Sequence, residues 1–412
     1  MTTDQTTPFV QRPYHRDWLM DQARRLIGFF GTASVNPAGG FYFLDGDGTV
    51  LDNAPRGTGA ERELFATCRM VHCYAAADIL GHPGAAEIVD HGMRYILDHH
   101  RDAENGGYVW GLDDAGVTRG EKLAYGHAFV LLAAASAGEA GHPEARALHD
   151  DIMGVILQRF WDDEAGAMRE EFAQDWSEIS TYRGQNSNMH STEALMAAYE
   201  AWDDNRCLTM AERIADLIIN RRAREAGWVV IEHFGTDWSA DRDYAGDPMF
   251  RPGGTTPGHA LEWSRLLIQL WQLGGKRHDW MPEAAEALFR EAVTHGWEET
   301  RGGFVYTLDW ENQPDMANRF WWPACEGAAA ASALRAALGG EFFESWYRRI
   351  WAVLDRDFID HAQGGWWPES GMDGSPQTSV FSGKPDIYHA LQACLIPLLP
   401  GDKGLMAGLK SL

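Results

Sequence analysis

The chain contains no run of about 18 apolar residues, no C-x-x-C pair, no H-E-x-x-H, no G-x-x-x-x-G-K-[ST] and no G-x-S-x-G. These absences exclude, in turn, a membrane span, a zinc ribbon or dithiol redox centre, a zincin site, a phosphate-cradling loop and a hydrolase nucleophile turn. Basic residues are also scarce: 35 Lys and Arg face 60 Asp and Glu, for a formal charge of −25. Phosphate-backbone binding needs clustered cations, so no nucleic-acid partner is expected. The opening MTTDQTTPFVQRPYHRDWL has no basic end followed by an apolar stretch, so neither a membrane nor a secretory route is indicated and the expected location is cytoplasmic. The five cysteines, Cys68, Cys73, Cys207, Cys325 and Cys394, are odd in number and scattered, as reduced core thiols are.

Apolar residues make up 45% of the 412 and aromatics 12%, enough for a large core. A repeat organises them. Glycine, then aromatic or β-branched residues, then acidic or turn residues recur as GGFYFLDGDG (39–48), GGYVWGLDDAG (106–116), GAMREEFAQDW (166–176), GWVVIEHFGTDW (227–238), GGFVYTLDWENQ (302–313) and GGWWPESGMDG (364–374). The period of roughly 60 to 75 residues leaves room for two helices and a loop per unit. Segments 63–80 and 122–137 are apolar or small nearly all round, as buried helices are, whereas 87–100 and 208–222 have one polar face. Six inner and six outer helices predict an all-α fold, an (α/α)6 barrel of twelve helices with short β-hairpins at one rim. An open solenoid of the same pairs is the competing arrangement, but neither end reads as a polar cap. One domain over 1–412 is expected, with residues 1–15 a flexible tail.

Aligned by the repeat, the inner helices each carry a polar residue near the start: Arg69, His127, His190, His259, Glu326 and His389. In a closed barrel these converge on one cavity, where unpaired burial costs several kcal/mol unless the cavity is wet or holds a ligand. His190 and Glu193, His259 and Glu262, and His389 and Gln392 are each three apart, so each pair shares a helix face and the carboxylate or amide can fix the imidazole tautomer. Asn186 and Asn188 can cap a helix or hold a hydroxyl. Tyr125, Trp263, Phe320, Trp321, Trp322, Trp366, Trp367 and Tyr388 cluster beside these positions, and aromatic faces with polar neighbours suit a monosaccharide. A metal site has little support without a paired ligand motif. Glycoside hydrolysis wants two opposed carboxylates; convergent histidines favour moving protons on and off carbon, hence isomerisation or epimerisation.

The strings YRGQNSNMHSTEAL (182–195), TPGHALEWSRLL (256–267), FWWPACEGA (320–328), KLAYGHAF (122–129) and YHALQA (388–393) resemble the N-acylglucosamine 2-epimerase superfamily, in its mannose isomerase and sulfoquinovose isomerase branch, over nearly the whole chain. That resemblance implies the same barrel, no metal or redox cofactor, a monomer or homodimer, and an aldose–ketose isomerase acting through a cis-enediol. It matches His259 and His389 to acid/base histidines, with Glu262 assisting His259, and Arg69, Tyr125, Asn186 and His190 to substrate-binding positions. Trp321, an aromatic wall, and Glu326, the inward carboxylate of its unit, complete the expected binding set. The expected substrate pair is D-mannose and D-fructose, with D-lyxose and D-xylulose as a side activity. Pro385 stands where sulfoquinovose isomerases carry a polar residue, while the adjacent Lys384 keeps an anionic sugar open. A sugar 2-epimerase and a non-catalytic sugar-binding protein are the alternatives.

Overall fold

The computed structural model describes residues 7–51, 61–244 and 246–412. Twelve helices alternate between two concentric layers. The inner layer is α2 (Leu64–Ile79), α4 (Ala124–Glu139), α6 (Gln185–Trp202), α8 (Pro257–Leu273), α10 (Trp321–Leu338) and α12 (Tyr388–Leu395), and the outer layer is α1 (Pro13–Phe30), α3 (Ala85–Tyr95), α5 (Ala145–Val155), α7 (Asn205–Ala215), α9 (Trp280–His295) and α11 (Glu341–Val353). Each inner helix packs on the next, and α12 packs back on α2, so the ring closes. A short α13 (Leu405–Leu409) lies against α2 and α6. No helix among the described residues is long and apolar enough to cross a membrane.

The two layers follow from their sequences. In α3 the buried positions Ala85, Ile88, Val89, Gly92 and Met93 repeat at 3–4–7–8 spacing, and α5 repeats it with Ala145, Leu148, His149, Ile152 and Met153, a single apolar stripe facing inward. In α4 every residue from Gly126 to Ala137 is buried, and its alanines let neighbouring helices approach on both sides. All five cysteines are buried and unpaired.

The N-terminal expectation needs correction. Residues 1–6 lie outside the described residues, but the Phe9 amide donates to Glu344 Oε1 (2.8 Å), and α1 begins at Pro13, with His15 buried 2.9 Å from the Tyr347 hydroxyl. Far from being tail, residues 13–15 open the outer helix that pairs with α12 and completes the sixth unit. Proline at the first helical position, whose missing N–H would be unpartnered anyway, is a start signal.

The strands form one rim. Each two-residue strand before an inner helix pairs antiparallel with the glycine hairpin of the next unit: Arg62 with Leu112, Lys122 with Phe172, Arg183 with Phe234, and Arg319 with Ser370. Buried cations on three of the connecting segments span successive hairpins. Lys122 Nζ donates to Gly106 O and Gln174 O (2.5 and 2.6 Å), Arg319 to Gly302 O and Gly371 O, and Lys384 Nζ to Gly364 O and Gly46 O (2.5 and 2.7 Å). Lys384 thereby ties the last unit to the first, and it is fully buried with Asp360 Oδ2 at 2.8 Å. It is committed to the rim and leaves no ammonium for an anionic sugar.

Candidate active site

At the same rim, the first turns of the inner helices surround an open pocket lined by Arg69, Tyr125, Asn186, His190, His259, Glu262, Trp321, Trp322 and His389, with Met249, Phe250 and Tyr306 from the hairpin side. Eight of the nine residues expected at the site are therefore on one wall. The ninth, Glu326, is not. It stands behind His389, where Oε1 accepts from Nδ1 at 2.8 Å and Oε2 accepts from Arg265 Nε at 2.9 Å, so its place is to hold a histidine and not to touch a ligand. His127 does not join the ring either: Nδ1 donates to Leu123 O, Nε2 accepts from the Tyr108 amide, and the imidazole packs on Phe160. Tyr125, two residues earlier, is the wall residue of that helix.

Each of the two histidines carries a buried carboxylate at Nδ1. His259 Nδ1 lies 2.9 Å from both oxygens of Glu232, and His389 Nδ1 lies 2.8 Å from Glu326. Among the described residues neither Nε2 has a hydrogen-bond partner, so a lone pair is available beside the cavity once Nδ1 carries the proton. Burial alone would raise the Glu232 carboxyl, but the His259 imidazole and the amide of Gln185 hold it below its ordinary value; Arg265 and His389 do the same for Glu326. Gln185 is itself oriented, because its Oε1 accepts from Trp263 Nε1 (2.7 Å) and its Nε2 donates to Glu232 Oε2 (2.8 Å). The indole of Trp322 lies against both imidazoles, with centroids 5.3 Å from His259 and 5.7 Å from His389. Gly258 permits this, since a Cβ there would stand 2.4 Å from the Trp322 ring.

The helical pairing read from three-residue spacing is thus replaced. Glu262 does not serve His259; that position belongs to Glu232, in the fourth glycine hairpin, which the alignment of helices could not reveal. Gln392 donates to Glu193 (3.2 Å), not to His389, and Glu193 also accepts from the Tyr388 hydroxyl. Glu193 and His190 are 3.7 Å apart. Of the two asparagines, Asn188 is structural, with its amide bonded to Gly184 O and to both Met168 backbone groups, whereas Asn186 Oδ1 is buried with no hydrogen-bond partner among the described residues.

Arg69 enters from α2. Asp386 (2.5 Å) and the Tyr125 hydroxyl (3.1 Å) fix its guanidinium, which also lies over the Phe129 and Tyr388 rings at 4.6 and 4.5 Å. Burial brings the His190 imidazole down to about 4, so it is neutral at pH 7, and among the described residues its Nδ1 has no hydrogen-bond partner, with Glu193 and Glu262 each 3.7 Å away. Beneath, three buried carboxylates, Glu193, Glu262 and Glu326, surround the single guanidinium of Arg265. Burial, reinforced by Glu326, pushes the Glu262 carboxyl well above its usual range. Donor atoms of His190, Glu193 and Glu262, and of Glu262, Glu326 and His389, lie within 4.8 Å of one another, but Arg265 already supplies a positive charge among these carboxylates.

Residues 39–393 match the family model of N-acylglucosamine 2-epimerase (GlcNAc 2-epimerase). The chain is 43% identical to the D-mannose isomerase of Pseudomonas cannabina pv. alisalensis, covering 97% of both chains, and 42% identical to that of Thermobifida fusca, covering 96% of this chain and 97% of the relative. Among solved structures, a D-mannose isomerase superposes with a TM-score of 0.87 at 29% identity, covering 94% of this chain and 99% of the other. The cellobiose 2-epimerase of Spirochaeta thermophila, at 21% identity and a TM-score of 0.81 over 95% of this chain and 98% of its own, shares the fold.

Proposed function

Given that the chain belongs to the N-acylglucosamine 2-epimerase family, we propose that it is an aldose–ketose isomerase that interconverts D-mannose and D-fructose, and D-lyxose and D-xylulose as a side activity. The observation that carries this reading is the pair of imidazoles facing one cavity, each with Nδ1 held by a buried carboxylate and Nε2 unpartnered. Two such groups are what a reaction needs that opens a sugar ring and then moves a proton between adjacent carbons.

In this reading His259 moves the protons of ring opening, accepting from the anomeric hydroxyl and returning a proton to the ring oxygen. His389 then takes the C2 proton of the open aldose at Nε2 and delivers it to C1 of the cis-enediol. Glu326 and Glu232 stabilise the imidazolium formed in each step. Arg69, Tyr125, Asn186 and His190 hold sugar oxygens; the orphaned Asn186 Oδ1 and His190 Nδ1 gain partners when a polyol fills the cavity. Arg69 stabilises negative charge developing on the enediolate, and Trp321 and Trp322 cover the C–H faces of the sugar.

Incubation with D-mannose, followed by product chromatography, should yield D-fructose, and His389→Ala should abolish it. Run in deuterium oxide, the reaction should label C1 of the ketose to the extent that the proton on His389 exchanges with solvent before it is returned. Glucose labelled at C2 would instead make the protein a 2-epimerase, and no product from any aldose in a small panel would overturn catalysis.

A further inference from the structure

Four buried carboxylates stand in or behind the cavity, and three receive hydrogen bonds. Glu232 accepts from Gln185 and His259, Glu326 from Arg265 and His389, and Glu193 from Tyr388 and Gln392. Glu262 differs. Among the described residues no N–H or O–H donates to either of its oxygens, and Oε1 is sealed from solvent without a partner. The basic groups that face it, Arg265 Nη2 at 3.6 Å and His190 Nδ1 at 3.7 Å, are within ion-pair distance but beyond hydrogen-bond range. An ionised carboxylate buried to 1% exposure with no donor is costly, whereas a carboxylic acid in the same place needs only an acceptor. The charge count agrees, since Arg265 is shared among three carboxylates and Arg69, the other cation acting on Glu262, is already paired with Asp386.

We propose that Glu262 stands protonated at neutral pH and, if the protein is the isomerase described, carries the proton that moves between the oxygens on C1 and C2. As His389 removes the C2 proton, the Glu262 O–H bond breaks and its proton passes to the C1 carbonyl oxygen, giving a neutral cis-enediol and a Glu262 carboxylate. As the imidazolium of His389 returns its proton to C1, the C2 hydroxyl gives its proton to that carboxylate and C2 becomes the ketone. The acid is restored, and neither an oxidant nor a net proton is required. The two oxygens of a cis-enediol lie on one side, within reach of one carboxyl, and Glu262 lines the cavity wall. The upward displacement of its carboxyl by burial and by Glu326 points the same way.

Infrared difference spectroscopy of the wild type against Glu262→Gln at pH 7 tests the protonation state without substrate, and so stands apart from the isomerase reading. Loss of a protonated-acid carbonyl band is expected; loss of a carboxylate band overturns the proposal. Glu262→Met serves the same spectrum should the amide fail to fold. In the mannose assay, Glu262→Gln should lower kcat by about 10² to 10⁴-fold, the range for a proton-transfer group, with KM within a few-fold; a kcat within tenfold of wild type overturns the relay. If no fructose forms even from the wild type, the isomerase reading fails while the spectrum still decides the charge on Glu262.

Discussion

Glu326→Gln puts the placement of His389 to a sharp test. The wild-type carboxylate accepts at both oxygens, from His389 Nδ1 (2.8 Å) and from Arg265 Nε (2.9 Å). An amide of the same shape offers one acceptor and one donor. Arg265 cannot surrender its proton, so the amide oxygen stays with the guanidinium and the NH2 turns to His389. Nδ1 must then be the unprotonated nitrogen, which moves the ring proton to Nε2, the atom that has to accept a proton from carbon. The same forced change of tautomer in a serine hydrolase triad costs about 10⁴-fold, and loss of a general base costs about 10² to 10⁴-fold. We therefore expect kcat for mannose isomerisation to fall by at least about 10²-fold with KM changed by no more than a few-fold. Steady-state kinetics with fructose quantified by chromatography, alongside thermal melting to confirm folding, gives the answer. A variant keeping more than a tenth of kcat, or losing activity through KM alone, would refute the claim that Glu326 acts by fixing the His389 tautomer.

Three further outcomes follow from the geometry. Gly258→Ala places a methyl 2.4 Å from the Trp322 ring; overpacking of this kind costs about 1–3 kcal/mol, and the displaced indole should lower kcat more than the melting temperature suggests. Lys384→Met takes the lysine donor from the part-buried Asp360 carboxylate and from two glycine carbonyls, so chemical denaturation should show a loss of about 3 kcal/mol, the low end of the range for breaking a buried pair, with KM for mannose unchanged in whatever fraction folds. At the far end of the barrel, burial, with Glu139 adding to it, pushes the Glu200 carboxyl up to about 7. The folded chain then keeps this proton where the unfolded chain, near 4.5, has lost it, so stability should fall as pH rises from about 4.5 to above 7. Glu200→Gln should flatten that part of a plot of melting temperature against pH, and an unchanged slope would refute the assignment.

The barrel was legible because its cause is periodic: six glycine hairpins and two kinds of helix stripe are written along the chain. The wall of the site was legible for the same reason, since Arg69, His190, His259 and His389 occupy equivalent turns. What escaped was aperiodic. Glu232 and Gln185 reach His259 from a hairpin and from a neighbouring helix, and no spacing within α8 encodes a contact made across 27 and 74 residues. His127 shows the converse, an equivalent position whose imidazole is taken by the carbonyl of Leu123 four residues earlier and by the Tyr108 amide of an adjacent hairpin. Glu326 was found but placed too far forward, because position on a helix fixes a face and not the depth at which a side chain stops. The first outer helix was missed in part because its opening residues, PYHR, carry little apolar signal until Leu19.

The buried cations at the rim bear on how the molecule comes apart. Each spans a boundary between neighbouring units, and Lys384 reaches from the last to the first. An open helical array frays from its two ends, unit by unit. Here a buried lysine fastens the last unit onto the first, so neither end is free, and loss of the first, second, third, fifth or sixth hairpin leaves a lysine or arginine buried without one of its acceptors. Melting should consequently be a single sharp event, and a chain cut back by one repeat should fail as a whole instead of surviving as a five-unit remnant.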